Sequence, residues 1–238
     1  MSAIGIEALA AAMDQTLLKP TVGFAEGAAW IEANRDFGFA TLCVSPFLVP
    51  VASQRLAGGS TGVCSVVGFP LGFANTESKA AESADLEVLG CDEVDMVINV
   101  AALLEGEDEF VRDDIAAVVD SVCESSGGTA RVKVILETGY LGEDDIRRGC
   151  VLAVEAGAAF VKTSTGFGPR GASVRDVEIM RAAVGSDIGV KAAGGIRDLD
   201  TALAMLRAGA TRIGTSAGAE ILAEATARGL EARIASAP

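Results

Sequence analysis

The chain has 238 residues, half of them apolar, a net charge of −14 and no histidine. That length suits one large α/β domain or two small ones, and the acidic balance argues against a nucleic-acid partner, whose phosphates would be repelled. Without histidine, Ser-His-Asp and Cys-His nucleophile schemes and the usual His-rich catalytic zinc site are excluded, which leaves acid–base chemistry to Asp, Glu, Lys, Tyr or Cys.

The first twenty residues, MSAIGIEALAAAMDQTLLKP, lack a basic leader and carry Glu7, so they read as a short N-terminal helix and not as a signal peptide. No apolar run reaches the ~18 residues that a membrane helix needs, so the expectation is a soluble cytoplasmic protein with no membrane partner. Candidate strands follow at Met13–Leu17, Gly38–Val44, Gly62–Val67, Glu93–Asn99, Arg131–Glu137, Ala158–Lys162, Ile188–Lys191 and Thr211–Gly214. Between them, helical apolar spacing marks Thr76–Leu89, Glu109–Cys123, Glu143–Ala156, Val174–Ala183 and Asp200–Ala208. Asn75 or Thr76, Gly142 and Ser173 are start signals for three of these helices. Gly90, Gly157 and Gly209 follow three of them, where a left-handed cap is wanted.

Strand alternating with helix, eight times over, predicts a single (β/α)₈ barrel, the TIM-barrel architecture, across residues 1–238. An open doubly wound sheet is the competing reading, but the Gly-x-Gly-x-x-Gly turn that it would need after its first strand is missing. No linker or low-complexity tract divides the chain. Its five cysteines, Cys43, Cys64, Cys91, Cys123 and Cys150, include no Cys-x-x-Cys pair and read as reduced core or near-core residues.

There are only five lysines, Lys19, Lys79, Lys133, Lys162 and Lys191, and three of them sit inside or at the end of apolar strand-like runs. Lysine is ordinarily a surface residue. In a barrel, the C-terminal ends of the strands face the active site, which directs Asp95, Lys133, Glu137, Lys162 and Lys191 toward one small volume. For Lys133 and Glu137 a structural ion pair is the preferred reading. Lys162 and Lys191, on adjacent strands, would repel each other, and repulsion with burial lowers a lysine pKa. A neutral lysine is a nucleophile that forms an imine with a carbonyl substrate, and the iminium is an electron sink that requires no metal or cofactor. Asp95 would then carry a proton.

Phosphate is the third component. Barrels often hold it with the loops after strands seven and eight. Those loops read AAGGIRD, with Gly194 and Gly195, and GTSAG, with Gly214 and Ser216, the latter where a helix N-terminus would begin. Gly166, after strand six, offers one more N–H.

Six stretches, DQTLLKP (Asp14–Pro20), VVGFPLG (Val66–Gly72), DEVDMVINVAAL (Asp92–Leu103), KVILETGYL (Lys133–Leu141), FVKTSTGFGPRGAS (Phe160–Ser173) and GVKAAGGIRDLDTALAMLRAGATRIGTSAG (Gly189–Gly218), resemble the deoxyribose-phosphate aldolases. The resemblance implies a class I aldolase that reversibly cleaves 2-deoxy-D-ribose 5-phosphate to D-glyceraldehyde 3-phosphate and acetaldehyde, in the breakdown of deoxyribose phosphate. It implies Lys162 as the Schiff-base lysine, Lys191 and Asp95 as its partners in proton transfer, and Gly166, Gly194, Gly195, Gly214 and Ser216 at the phosphate. It implies no cofactor.

Two departures stand out. The family's first motif often reads Asp-His-Thr, and Gln15 replaces that histidine. Some members use a C-terminal tyrosine; this chain ends ARIASAP and its only tyrosine is Tyr140, so water held by Asp95 and Lys191 must suffice. Cys43 either lines the substrate mouth, where aldehydes would reach it, or is a small buried residue. Exposed apolar faces on the outer helices leave room for a homodimer. The alternatives to this aldolase are another phosphate-binding barrel aldolase, a sugar-phosphate isomerase, or a barrel that binds a sugar phosphate without catalysis.

Overall fold

The computed structural model describes residues 5–128 and 130–229. Eight parallel strands close on themselves in sequence order: β1 (Met13–Leu17), β2 (Thr41–Val44), β3 (Gly62–Val67), β4 (Glu93–Val97), β5 (Arg131–Ile135), β6 (Phe160–Lys162), β7 (Gly189–Ala193) and β8 (Arg212–Thr215). The seam pairs Met13 with Ile213, Asp14 with Gly214 and Gln15 with Thr215. This is the predicted (β/α)₈ barrel, and every predicted strand forms with modest changes at its ends.

The helices are α1 (Ile6–Ala11), α2 (Phe24–Asn34), α3 (Val49–Leu56), α4 (Thr76–Val88), α5 (Val100–Glu105), α6 (Asp108–Ser126), α7 (Glu143–Glu155), α8 (Val174–Val184), α9 (Leu199–Arg207) and α10 (Gly218–Ala227). Start signals act as read: Asn75 Oδ1 accepts from Ser78 N at 2.9 Å, and Ser173 Oγ from Asp176 N at 3.1 Å. Gly90, Gly157 and Gly209 leave their helices at φ of 101°, 83° and 112°, where a side chain would be strained. No described helix is long and apolar enough to cross a membrane.

Two helices that periodicity did not reveal, α2 and α3, meet through a missing side chain. A Cβ on Gly27 of α2 would lie 2.6 Å from Leu48 Cδ1, so glycine lets α2 approach the turn that leads into α3. A mid-helix glycine lowers intrinsic helicity, which is why the sequence signal there is weak.

Strand alternation sorts the residues into two faces. Met13, Leu42, Val44, Val94, Met96, Val134, Val161, Val190, Ala192 and Ile213 belong to the core shared with the helices, and all are buried. The opposite face carries Asp14, Glu93, Asp95, Lys133, Lys162, Lys191 and Arg212, also buried. Barrel interiors are ordinarily filled by branched aliphatics; this one is filled by charge.

Candidate active site

The centre of the cluster is Asp95, on β4. Its Oδ2 accepts from Lys162 Nζ at 2.7 Å and from Lys191 Nζ at 2.6 Å, while its Oδ1 accepts from Lys133 Nζ at 2.7 Å. The register explains the convergence: Asp95 lies beside Lys133, and Lys162 beside Lys191. Asp14 enters across the seam, with Oδ2 at 2.6 Å from Lys191 Nζ and 3.5 Å from Lys133 Nζ. Arg212 ties Asp14 Oδ1 (2.6 Å) to Glu93 Oε2 (2.9 Å), and Glu93 Oε2 also pairs with Lys133 at 2.8 Å. Phe160 stacks under the Arg212 guanidinium at 5.2 Å.

Burial disfavours charge on Asp95, but Lys133, Lys162 and Lys191 outweigh it and hold the carboxyl well below its ordinary range. Burial likewise opposes charge on Lys191 and Lys133. For Lys191 the Asp14 and Asp95 carboxylates win and raise the pKa; for Lys133, Asp95, Cys64 and Asp14 do so. The sequence reading expected repulsion between Lys162 and Lys191 to dominate. At Lys191 the opposite holds, because Asp14 reaches it only through barrel closure.

The expected Lys133–Glu137 ion pair does not form. Four residues along a strand rise about 13 Å, and Glu137 leaves the strand with a left-handed φ of 55°. Its carboxylate instead accepts from Thr165 N at 3.3 and 3.2 Å and from the Thr165 hydroxyl.

An open cleft at the strand ends is lined by Lys162 together with Gly166, Gly194, Gly195, Gly214 and Ser216. All five phosphate candidates therefore share one cavity with the proposed nucleophile, whereas Lys191 and Lys133 lie behind it. Thr16, Thr165 and Arg197 also border the cleft and are not among the residues that the sequence singles out; Arg197 sits inside the quoted AAGGIRD loop, and its charge beside Gly194 and Gly195 is the available signal. Gly214 has a second task, since a Cβ there would lie 3.1 Å from Lys191 Cε and 2.9 Å from Ala193 Cβ.

Cys43 is fully buried. It packs with Cys64 and Val66 beneath Leu18 and Phe69, so the small-buried-residue reading is the one realised. Cys43, Cys64 and Asp95 bring potential ligand atoms within 4.8 Å of one another. Lys133 Nζ lies 3.2 Å from Cys64 Sγ and 2.7 Å from Asp95 Oδ1, so an ammonium group already contacts two of these three side chains. All five cysteines are free, and Cys123 is exposed, not near-core. Gln15 bridges two helices: its Oε1 accepts from Gly218 N at 2.9 Å and its Nε2 donates to Asn34 Oδ1 at 3.1 Å. The ARIASAP tail lies outside the described residues.

The sequence model of the DeoC/LacD family aldolases matches residues 9–224. Deoxyribose-phosphate aldolase 1 of Bacillus licheniformis is 49% identical over 219 residues, covering 92% of this chain and 96% of its own. The deoxyribose-phosphate aldolase of Bacillus subtilis is 48% identical over 221 residues, covering 93% and 97%. Among solved structures, the tetrameric deoxyribose phosphate aldolase of Aeropyrum pernix aligns with a TM-score of 0.86 at 30% identity, over 94% of this chain and 93% of its own.

Proposed function

Because the chain belongs to the DeoC/LacD family of aldolases, we infer that it is a class I aldolase that reversibly cleaves 2-deoxy-D-ribose 5-phosphate to D-glyceraldehyde 3-phosphate and acetaldehyde. The chain acts as a single catalytic barrel, and Lys162 is the Schiff-base lysine. One observation carries that assignment: of the three interior lysines, only Lys162 lines the cleft.

Charge balance supports the same choice. Four buried cations, Lys133, Lys162, Lys191 and Arg212, face three buried carboxylates, Asp14, Glu93 and Asp95. Loss of one proton leaves three against three. Lys162 contacts only Asp95, which also holds Lys133 and Lys191, whereas Lys133, Lys191 and Arg212 each pair with two or more carboxylates.

The neutral Nζ adds to the aldehyde carbon of the open-chain sugar, and loss of water gives an iminium. The iminium restores the fourth positive charge in a place already lined by Asp95. A base removes the β-hydroxyl proton, the bond between the α- and β-carbons breaks, and its electron pair moves into the iminium to give an enamine. D-glyceraldehyde 3-phosphate leaves. The α-carbon takes back a proton, and water releases acetaldehyde from Lys162. Asp95 and Lys191, with a water between them and the substrate, are suited to move these protons.

Gly194, Gly195, Gly214, Ser216 and Gly166 hold the phosphate, near the start of α10, where backbone N–H groups and the helix dipole favour an anion. Self-association belongs to the same reading: the relative from A. pernix is tetrameric, and Leu71, Phe73 and Phe167 are exposed apolar side chains here. Sedimentation of the purified chain measures it.

Borohydride reduction in the presence of substrate tests the central assignment. Mass mapping is expected to find the reduced adduct on Lys162. An isomerase would form none, and an adduct on Lys191 would overturn the choice of nucleophile.

A further inference from the structure

Glu137 is the one non-glycine residue with a positive φ among the described residues. Such a backbone costs energy and persists only where the surroundings enforce it, which is most often at functional sites. Its side chain is 3% exposed, and no described lysine or arginine pairs with it. A strained, buried carboxylate without a counter-cation needs a reason.

Its contacts all lead to the loop that follows Lys162. The Thr165 N–H donates to both carboxylate oxygens, at 3.3 and 3.2 Å, and the Thr165 hydroxyl donates to Oε2. That same hydroxyl accepts from Phe167 N at 3.0 Å. A Cβ on Gly168 would lie 2.7 Å from Glu137 Cδ, so the loop is wrapped closely around the carboxyl group. Backbone bonds fix the other end: Leu136 N donates to Lys162 O at 3.0 Å, and Thr138 N to Thr163 O at 2.9 Å.

Gly166 lies between the two anchored residues and lines the cleft. Its φ is 88°, and nothing lies within 4 Å of where its Cβ would be. That side of the Gly166 turn is therefore open. The hydrogen bonds on either side of it run through Thr165, which Glu137 holds.

We propose that Glu137 is a positioning residue for the phosphate end of the substrate: acting through Thr165, it fixes the Gly166 turn as a wall of the cleft, and so governs affinity for the phosphorylated sugar and not the chemistry at Lys162. The role rests on the aldolase reading above. It predicts a selective defect, because a sugar that lacks the phosphate does not use that wall.

Glu137→Gly removes the carboxylate and accepts the left-handed backbone without strain. Steady-state cleavage of 2-deoxyribose 5-phosphate and of unphosphorylated 2-deoxyribose is compared in the parent and the variant. The expected result is a rise in KM for the phosphorylated sugar of about tenfold or more, the size of a lost hydrogen bond to a charged group. The kcat for that sugar, and kcat/KM for the unphosphorylated one, are expected to stay within about twofold. Glu137→Gln keeps the volume and one acceptor, so a smaller rise of the same selectivity is expected, and it decides alone if the glycine variant fails to fold. An equal loss on both sugars, or no change on either, would overturn the proposal. If the parent itself forms no reduced adduct on Lys162, the aldolase reading fails; if it forms one and the variants show no selectivity, only the role of Glu137 fails.

Discussion

Lys162 and Lys191 donate to the same oxygen of Asp95, at 2.7 and 2.6 Å. One carboxylate oxygen therefore joins the lysine proposed to form the imine to its proposed partner in proton transfer. Asp95→Asn keeps the shape but leaves four buried cations facing two carboxylates. Turnover of deoxyribose phosphate is expected to fall by about 10²–10⁴, the usual range for a lost acid–base group. Borohydride trapping on Lys162 is expected to persist, which separates imine formation from proton transfer. Loss of trapping in step with turnover would count against that separation.

Gly214 makes room for the stem of Lys191. Gly214→Ala places a methyl group 3.1 Å from Lys191 Cε and 2.9 Å from Ala193 Cβ. Overpacking of this kind costs about 1–3 kcal/mol. Cleavage is expected to fall by about tenfold or more, since small misplacements of catalytic groups cost rate steeply. Thermal unfolding and initial rates, measured on one preparation, check both effects.

A fourth buried lysine stands outside the Asp95 cluster. Lys79 on α4 donates to Asp114 Oδ2 on α6 at 2.6 Å and to Val97 O at 3.0 Å, fully buried. Lys79→Met strands the Asp114 carboxylate, and the expected loss is about 3–5 kcal/mol. Lys79→Met with Asp114→Leu is expected to recover most of it, because both charges are gone. Denaturant unfolding of the single and double variants measures the difference, and kcat of the folded double variant should match the parent.

The charged interior also sets a pH window. The Asp14 and Asp95 pKa values lie below their ordinary 3.8 in the fold. Their contribution to stability is therefore complete above that value and is lost as pH falls below it. Those of Lys133 and Lys191 lie above 10.5, so their contribution is complete below 10.5 and is lost as pH rises beyond it. These four groups are expected to leave the melting temperature level between the two limits. Asp14→Asn should lower that plateau and weaken the acid limb; an unchanged plateau would show that Asp14 contributes nothing.

Much of this was readable from residues in order. Glycines after helices, Asn75 and Ser173 before them, and apolar runs interrupted by lysine were enough to place the strands and to aim Lys162, Lys191 and Asp95 at one end of a barrel. The loops proposed to hold phosphate were legible as loops for the same reason: their glycines fall at strand ends, and one cleft gathers them with Lys162. The partners of the charges were harder to read. Asp14 and Arg212 stand 198 positions apart and meet only at the seam between β1 and β8, so nothing local announces that Lys191 has a second carboxylate. Lys133 and Glu137, on one predicted strand, read as an interior ion pair. A left-handed turn at a glutamate is invisible to propensity, and it sent the side chain to Thr165 instead. The helix α2 was hidden by its own glycine.

The seam carries a further consequence, for how the barrel folds. Arg212 on the last strand satisfies Asp14 on the first and Glu93 on the fourth, and Gln15 reaches across the same seam to the start of α10. A chain in which seven strands have assembled would hold those carboxylates in a forming interior with no guanidinium to meet them, an unfavourable state in a low-dielectric space. The charges thus penalise partial barrels more heavily than an aliphatic interior would. Docking of the eighth strand relieves several of these penalties at once, which favours all-or-none assembly and ties the competence of the site to the completeness of the ring.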